Sequence, residues 1–252
     1  RPVFGRACCA RRPDRGSIAV PYKKAHDDWQ GKPAATAEKT AVETAFAAGF
    51  QAELQRLFAL RRDVRTFRRE AIDPALLAEA LASFDTAPSV GLSQPWRLVR
   101  IDSRTARAAV TANFEAANAT ARAGYEAERS EAYAALKLAG LATAPVHLAV
   151  FCDADPAQGY GLGRMTMPEM AHASVVCAVM QFWLAARARG IGVGWVSILD
   201  PLRLKRDLDI QAGWDLVAYL CVGYPADVSD TPELERADWE HRRATSTQML
   251  TR

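Results

Sequence analysis

The segment Met170–Ala186 constrains the fold more than any other part of the sequence. It contains no Asp, Glu, Lys or Arg, and its apolar side chains would occupy every face of a helix rather than one stripe. Thr166 and Glu169 have the spacing of a capping box, and Pro168 lies in the first turn, where a missing N–H costs nothing. Gly190 suits the left-handed residue that ends a helix. We therefore predict a central helix of about 23 residues, surrounded by protein and long enough to cross a domain.

A membrane-spanning helix is the alternative interpretation of this segment. His172, Ser174 and Gln181 interrupt the apolar run, and the residues that follow have the pattern of a buried strand. The central helix of a globular domain is therefore the favoured prediction, and no membrane partner is expected.

The next segment, Ile191–Leu199, is predicted to be a strand that begins among closely spaced glycines. A glycine-rich fingerprint for a dinucleotide must follow a strand and open a helix, whereas here the order is reversed. Glycines such as Gly192 and Gly194 would instead let the backbone approach something flat and close. Ser197 would lie on this strand and face the same object.

The remaining chain alternates helical and strand-like patterns without an internal repeat. We predict an α+β or mixed α/β sandwich with about four strands, because such elements bury their apolar faces in layers. The predicted helices lie at Ala41–Leu60, after Asp73-Pro74, across the Ala-rich surface region Arg104–Leu141 and after Asp200-Pro201, and the other predicted strands are Trp96–Ile101, Val146–Cys152 and Asp215–Tyr224.

Residues 1–40 differ in character from the rest of the sequence. They contain four prolines, nine Lys and Arg against four Asp and Glu, and no hydrophobic period. We predict a disordered N-terminal extension here, with a basic arm for an anionic partner as the alternative, and one globular domain over residues 41–252. The excess of cations in this segment exceeds the +3 net charge of the whole chain, so the domain is slightly acidic and no nucleic-acid footprint is expected.

The five cysteines show no CxxC spacing and no disulfide framework. Together with the lack of a secretory apolar run in the N-terminal residues, they predict free thiols in a reducing compartment and a cytoplasmic location. Glu169 and His172 form a single Glu-x-x-His pair, whereas a di-iron bundle needs two, so no metal is expected.

Three arginines, Arg61, Arg62 and Arg65, follow the first predicted helix at spacings that crowd their side chains together. Guanidinium groups this close repel one another unless an anion lies between them, and their fork geometry matches a phosphate. A solvated helix end is the alternative. Asp63 lies inside the cluster, where it would be either a proton acceptor or the ion-pair partner of an arginine.

The loop at residues 88–96, PSVGLSQPW, supplies hydroxyl groups, an amide and a glycine that would suit the edge of a polar ring. Five motifs, this loop among them, follow one another in the chain: RRDVR at 61–65, APSVGLSQPW at 87–96, LKLAGLATAP at 136–145, GRMTMPEM at 163–170 and GIGVGWVSILDP at 190–201. Together they resemble the 5,6-dimethylbenzimidazole synthase (BluB) family of the nitroreductase-like flavoproteins. Ordinary nitroreductases usually have Asn where this chain has Leu92, which favours the synthase branch.

The resemblance implies an α+β, three-layer sandwich with a mixed or antiparallel sheet and a long central helix. It further implies a homodimer with FMN bound between the subunits. Asp63 and Ser197 would be the catalytic residues. The residues expected to hold FMN lie in the arginine cluster for its phosphate and ribityl chain, and in the loop and the glycine-rich strand for its ring: Arg61, Arg62, Arg65, Ser89, Leu92, Gln94, Gly194 and Ser197.

The reaction that the resemblance implies consumes FMN itself. Reduced FMN and dioxygen would give 5,6-dimethylbenzimidazole, the lower ligand of cobalamin, and erythrose 4-phosphate. The protein would add a closed pocket and a proton acceptor, with the region Arg104–Leu141 as its lid. NAD(P)H would act indirectly, through a separate flavin reductase that supplies the reduced FMN. The alternatives are an NAD(P)H-dependent nitroreductase or flavin reductase on the same fold, and a flavin-binding protein without turnover.

Overall fold

A four-stranded antiparallel sheet forms the centre of the fold. The computed structural model of the chain describes residues 45–136 and 140–243. The strands are β1 (Trp96–Arg100), β2 (Val146–Asp153), β3 (Gly192–Val196) and β4 (Trp214–Gly223), in the spatial order β1-β2-β4-β3. Strand β3 therefore lies at an edge and has β4 as its only neighbouring strand among the described residues. The predicted α+β class is confirmed.

The helices are α1 (Ala48–Leu60), α2 (Pro74–Leu81), α3 (Arg104–Ala123), α4 (Ala127–Ala135), α5 (Met170–Ala188), α6 (Pro201–Asp207) and α7 (Glu233–Arg236). Helices α2 and α6 begin where the sequence predicts. The Asp73 side chain accepts a hydrogen bond from the backbone N–H of Ala75, and Asp200 does the same for Leu202. An Asp N-cap followed by Pro thus starts both helices.

Helix α5 is the predicted central helix and packs on one face of the sheet. Val175, Val179 and Phe182 are fully buried in the cluster that also contains Val150 and Leu220 of the sheet. Among the described residues, α5 is the one helix long and apolar enough to cross a membrane, with a mean hydropathy of 1.2 and 44% of that window buried. A core helix has the same length and composition, and α5 packs as one.

The predicted start of the central helix at Thr166 is wrong. Helix α5 begins at Met170, and the side chain of its N-cap, Glu169, makes no capping hydrogen bond. Thr166 Oγ1 instead donates to the carbonyl oxygen of Gly163 at 3.1 Å, and the N–H of Met167 donates to the same oxygen at 3.0 Å. Thr166 therefore belongs to a turn that precedes the helix, three residues before the N-cap position.

The opposite face of the sheet packs against α3 and α6. Phe151, Tyr219 and Leu204 of α6 are buried in this second cluster. Asn113 of α3 donates to the carbonyl oxygen of Asp200 at 2.9 Å and accepts from the N–H of the same residue at 2.8 Å. The predicted surface region Arg104–Leu141 is therefore divided: α3 is anchored to the domain and ends before Gly124, and α4 is a separate helix.

The predicted N-terminal extension at residues 1–40 lies outside the described residues, as do residues 41–44, 137–139 and 244–252. The described residues from Ala47 onward pack as one unit.

Candidate functional site

Asp63 joins the segment that follows α1 to the edge of the sheet. It forms an isolated parallel bridge with Val193, and the N–H of Val64 donates to the Val193 carbonyl oxygen at 3.1 Å. The Asp63 Oδ1 atom accepts a hydrogen bond from the N–H of Trp195 at 2.7 Å. A backbone pairing and a side-chain bond therefore hold Asp63 in one position beside β3.

Gly194 is required by this close approach. A Cβ atom added at Gly194 would lie 2.1 Å from the carbonyl oxygen of Val64 and 3.6 Å from Asp63 Oδ1. Since no side chain fits in that space, glycine lets the two backbone segments meet. The segment that lies close to Gly194 is thus the backbone at Val64. A contact of Gly194 with flavin stays a prediction.

The contacts of Asp63 are compatible with both roles predicted from the sequence, the proton acceptor and the ion-pair partner of an arginine. Arg65 Nε donates to Asp63 Oδ2 at 3.2 Å, and the side chains of Arg65 and Asp63 are 12% and 33% exposed. Burial raises the pKa of Asp63, and the Trp195 N–H and the Arg65 guanidinium oppose that rise. Asp63 is thus the ion-pair partner of an arginine, and its raised pKa also suits a proton acceptor.

The three arginines of the cluster have different neighbours. The Arg61 guanidinium lies over the indole ring of Trp183, with Cζ 4.9 Å from the ring centroid. Arg62 Nε donates to the carbonyl oxygen of Asp230 at 2.9 Å, and Arg62 Nη1 donates to the carbonyl oxygen of Arg61 at the same distance. All three arginines border one cleft, and the side chain of Arg62 also donates hydrogen bonds to backbone carbonyl groups.

This arginine cleft has a volume of about 200 Å³ and is lined by residues 232–234 and by Arg61, Arg62, Asp63, Arg65 and Arg242. Burial lowers the pKa values of Arg61 and Arg62, and the charge of Arg242 lowers them further. Cations that disfavour one another in this way are stabilised by an anion between them. The residues therefore fit a phosphate group, and the binding of a phosphate here stays a prediction.

The sequence pattern does not predict Arg242 as a residue of this site. It lies far along the chain in the charged stretch WEHRR, which has no pattern that distinguishes one arginine from its neighbour. Only the fold brings it to the first cluster. A second cleft of about 310 Å³ adjoins the first and shares Asp63 and Arg65 with it, and its further lining includes Ser229 and Thr231.

The loop at residues 88–96 is held by hydrogen bonds within itself and to α5. Leu92 and Gln94 have positive φ values of 53° and 42°, a conformation that costs free energy for residues with a side chain. The Gln94 N–H donates to Ser89 Oγ at 3.1 Å, and the Val90 N–H donates to Ser174 Oγ of α5 at 3.0 Å. Ser89, Leu92 and Gln94 thus share one tight loop, and Leu92 is 73% exposed.

A neighbouring segment, residues 158–165, is also absent from the site residues predicted from the sequence. Together with Gly91 and Leu92 it lines an apolar cleft of about 550 Å³. Tyr160 is 96% exposed there, and Gln158 Nε2 donates to the carbonyl oxygen of Leu92. The alternating glycines of the sequence GYGLG were the available signal, since Gly159, Gly161 and Gly163 all have positive φ.

Ser197 lies apart from the arginine cleft. It follows the last residue of β3, is exposed, and borders a small cleft of about 160 Å³ with Leu199 and Tyr219. The hydrogen bonds described for Asp63 go to Trp195, two residues before Ser197, and to Arg65. The expectation that Asp63 and Ser197 meet across a flavin stays a prediction.

No group of three or more His, Cys, Asp or Glu side chains is placed to hold a metal ion within residues 45–136 and 140–243. His172, which the sequence pairs with Glu169, has its Nε2 atom 3.9 Å from Asp215.

Several known proteins resemble this chain in sequence. The nitroreductase family profile matches residues 59–224, which is more than half of the chain. The 5,6-dimethylbenzimidazole synthase of Rhodospirillum rubrum is 53% identical over 198 residues, which cover 79% of this chain and 94% of the relative. The 5,6-dimethylbenzimidazole synthase of Rhodobacter capsulatus is 50% identical over 73% of this chain and 89% of its own length.

The fold also resembles solved structures. Iodotyrosine deiodinase, in a crystal structure with FMN and 3-iodo-L-tyrosine bound, matches with a TM-score of 0.60 at 23% sequence identity. The match covers 70% of this chain and 91% of the deiodinase chain. At this identity the likeness concerns the fold alone.

Proposed function

The chain belongs to the nitroreductase family, and we propose that within this family it is a 5,6-dimethylbenzimidazole synthase. The observation that carries the activity is the 53% identity to a synthase across 94% of that relative's length. A generic nitroreductase is disfavoured, because the second relative, at 50% identity, is a synthase too. The reaction converts reduced FMN and dioxygen to 5,6-dimethylbenzimidazole and erythrose 4-phosphate.

The arginine cleft is the proposed site of the FMN phosphate. Arg61, Arg65 and Arg242 supply the charge, and the lowered pKa values of Arg61 and Arg62 support an anion between them. Arg62 acts behind them, because its hydrogen bond to the Asp230 carbonyl oxygen keeps the C-terminal residues against the cleft. Bound FMN supplies both the ring system and the ribityl carbon from which the product is made.

Asp63 is the proposed proton acceptor at the ribityl chain. It borders the same cleft as the arginines, where the ribityl chain of a phosphate-anchored flavin would lie. Its raised pKa supports the role, since a base works best when its pKa approaches the working pH. The hydrogen bonds from Trp195 and Arg65 fix both carboxylate oxygens, so that the acceptor is already oriented when the substrate binds.

The loop at residues 88–96 and the end of β3 are the proposed contacts of the flavin ring. Ser89, Leu92 and Gln94 share one loop whose strained backbone is held by Ser174 of α5. Ser197 supplies a hydroxyl just beyond β3, and its role there is to hydrogen-bond the reacting edge of the ring.

A second copy of the chain completes the proposed site. Helix α5 exposes Val176 (42%) and Met180 (39%), and the segment before it exposes Tyr160 (96%), Leu162 (70%) and Met165 (81%). Apolar surface of this extent is typical of a subunit interface. The proposed dimer predicts that Met180→Glu halves the particle mass in sedimentation, whereas Glu131→Gln, exposed on α4, leaves it unchanged.

We also propose a cytoplasmic location, supported by the free thiols of Cys152, Cys177 and Cys221. A separate NAD(P)H-dependent flavin reductase would be the source of reduced FMN.

The test is to incubate the purified chain with reduced FMN in air and to identify 5,6-dimethylbenzimidazole by mass. Product formed at the expense of FMN supports the synthase. Rapid NAD(P)H oxidation with bound FMN and no benzimidazole would instead identify a reductase, and flavin binding without either activity would identify a carrier.

A further inference from the structure

The C-terminal residues Asp227–Arg243 connect the arginine cleft with helix α4. This segment is named the strap. At the cleft, Arg62 Nε donates to the carbonyl oxygen of Asp230 at 2.9 Å, and residues 232–234 and Arg242 form part of the cleft wall. Two parts of the strap, residues 232–234 and Arg242, therefore border the proposed phosphate site directly.

Trp239, which lies between these two parts of the strap, holds α4. The Arg129 guanidinium of α4 stacks on the Trp239 ring, with Cζ 4.0 Å from the ring centroid, and its Nη2 donates to the Trp239 carbonyl oxygen at 3.2 Å. Tyr125 and Tyr133 pack on the same indole, with centroid distances of 5.7 and 6.2 Å. These contacts attach α4 to the strap both just before its first residue and near its last turn.

The strap is braced internally. The N–H of Trp239 donates to the carbonyl oxygen of Leu234 at 2.9 Å, and the N–H of Arg242 donates to Glu235 Oε1 at 3.1 Å. Leu234 and Arg242 line the cleft, whereas Trp239 contacts α4. The cleft wall and the α4 contact are therefore parts of one hydrogen-bonded unit.

Helix α4 is joined to the rest of the domain mainly through its ends. The Tyr133 hydroxyl donates to Asn118 Oδ1 of α3 at 2.7 Å, and α3 is in turn anchored through Asn113 to Asp200. Most side chains of α4 are exposed, and Tyr133 is its buried residue. A helix with so little core contact takes its position from the elements at its ends, and the strap is one of them.

We propose that Trp239 and Arg129 are positioning residues that couple occupation of the arginine cleft to the docking of α4. An anion drawn between Arg61, Arg65 and Arg242 would fix the strap, and the strap would fix α4, part of the region proposed to cover the flavin. Coupling between two sites is reciprocal, so docking of α4 must strengthen phosphate binding by the same factor. The inference rests on the proposed placement of the flavin phosphate in this cleft.

The affinity ratio of FMN to riboflavin isolates the phosphate contribution, because riboflavin differs only in lacking the phosphate. We expect Trp239→Ala and Arg129→Met each to lower this ratio about 5-fold or more while riboflavin affinity stays unchanged. Trp239→Phe should restore most of the ratio, since it keeps an aromatic face. Glu131→Gln, an exposed change on the same helix, is the matched control and should leave the ratio as it is. A merely structural role for Trp239 would weaken both ligands equally.

Hydrogen exchange of residues 125–135 with and without inorganic phosphate gives a second measurement that needs no flavin. Phosphate should slow exchange there in the unaltered chain and in Glu131→Gln, but not in Arg129→Met. The proposal is overturned if phosphate leaves this exchange unchanged in the unaltered chain. It is also overturned if only Trp239→Ala lowers the ratio, because that variant disturbs the Arg242 side of the strap directly. Intact coupling without benzimidazole production would count against the proposed function and leave this inference standing.

Discussion

Asp63 Oδ1 and the backbone N–H of Trp195 are joined by a 2.7 Å hydrogen bond that attaches the proposed proton acceptor to the outer strand of the sheet. The bond connects residues 132 positions apart in sequence, and the Arg65 guanidinium holds the other carboxylate oxygen. The orientation of the proposed base is thus set by the fold rather than by the substrate.

Replacing Asp63 by Asn separates chemistry from binding. The amide oxygen can still accept the Trp195 N–H, but the side chain has lost its charge and its ability to take a proton. We expect the variant to bind reduced FMN and to react with dioxygen, yet to form almost no 5,6-dimethylbenzimidazole, as measured by flavin titration and product analysis. Flavin affinity that falls in step with activity would reduce Asp63 to an organiser of the arginines.

Product formation should depend on the protonation of Asp63. Its pKa is raised above the usual 3.8, and only the ionised form accepts a proton, so the rate should fall as the pH decreases through the raised value. The stability of the fold should depend on pH in the opposite sense. Because the pKa of Asp63 is raised in the folded state, folding favours its protonated form. The contribution of Asp63 to the free energy of unfolding is therefore complete below about pH 3.8 and is lost as the pH rises through the folded-state pKa. The rate profile of the unaltered chain tests the first sign, and the thermal unfolding profiles of the unaltered chain and Asp63→Asn test the second. The variant should lack the contribution of this group to the unfolding profile.

Arg242→Ala should weaken FMN binding by about 1.5–3 kcal/mol, the usual range for a hydrogen bond to a charged group. Arg243→Ala is the matched control, because its side chain is adjacent in sequence and 83% exposed. Calorimetric titration with FMN and riboflavin distinguishes the two positions. Equal affinities for FMN in the two variants would remove Arg242 from the phosphate site.

Gly194→Ala should separate the Asp63 segment from β3. The new methyl group would lie 2.1 Å from the Val64 carbonyl oxygen, so backbone must move, at a cost of about 1–3 kcal/mol or more. Both denaturant stability and product formation are expected to fall. Gly49→Ala in α1, where nothing lies within 4 Å of the added Cβ, should change stability by no more than about 1 kcal/mol.

His147 should make the fold sensitive to acid. The ring is 1% exposed, and its Nδ1 atom lies 2.8 Å from the Tyr219 hydroxyl. Burial, and then the charge of Arg107, lower its pKa to about 4. The neutral form is therefore favoured on folding, so the stabilisation is complete above pH 6.5 and is lost as the pH falls toward about 4.

Between about pH 7 and about pH 5 this group alone should remove about 2 kcal/mol of unfolding free energy. His147→Gln should flatten that slope in urea unfolding experiments. An unchanged slope in the variant would assign the acid sensitivity to other groups.

Local signals in the sequence were sufficient for much of the fold. The Asp-Pro pairs at residues 73–74 and 200–201 start α2 and α6 because an Asp cap and a Pro in the first turn act within a few residues. Each of the four strands overlaps a strand predicted from the sequence, and β2 is buried along almost its whole length. The capping box at Thr166 failed because Thr166 belongs to a turn before α5, three residues ahead of the N-cap, Glu169.

The candidate site could be predicted only in part, because its other half depends on long-range contacts. Arg61, Arg62 and Arg65 lie within five residues, so their proximity follows from spacing alone. The contact of Arg62 with Asp230 spans 168 residues, and Arg242 reaches the same cleft from the end of the described chain. Nothing local distinguishes Arg242 from Arg243, so the strap became visible only in the folded chain.

The pairing of Val64 with Val193 also bears on solubility. In the part of the chain that the structure describes, β3 is the outermost strand on its side of the sheet, and an unpaired outer strand offers its N–H and C=O groups to other chains. The segment that carries Asp63 covers part of that row of groups. A variant that loosens this segment would therefore displace the proposed base and also expose a strand edge that can pair with other chains. Inactive variants at these positions should therefore also precipitate.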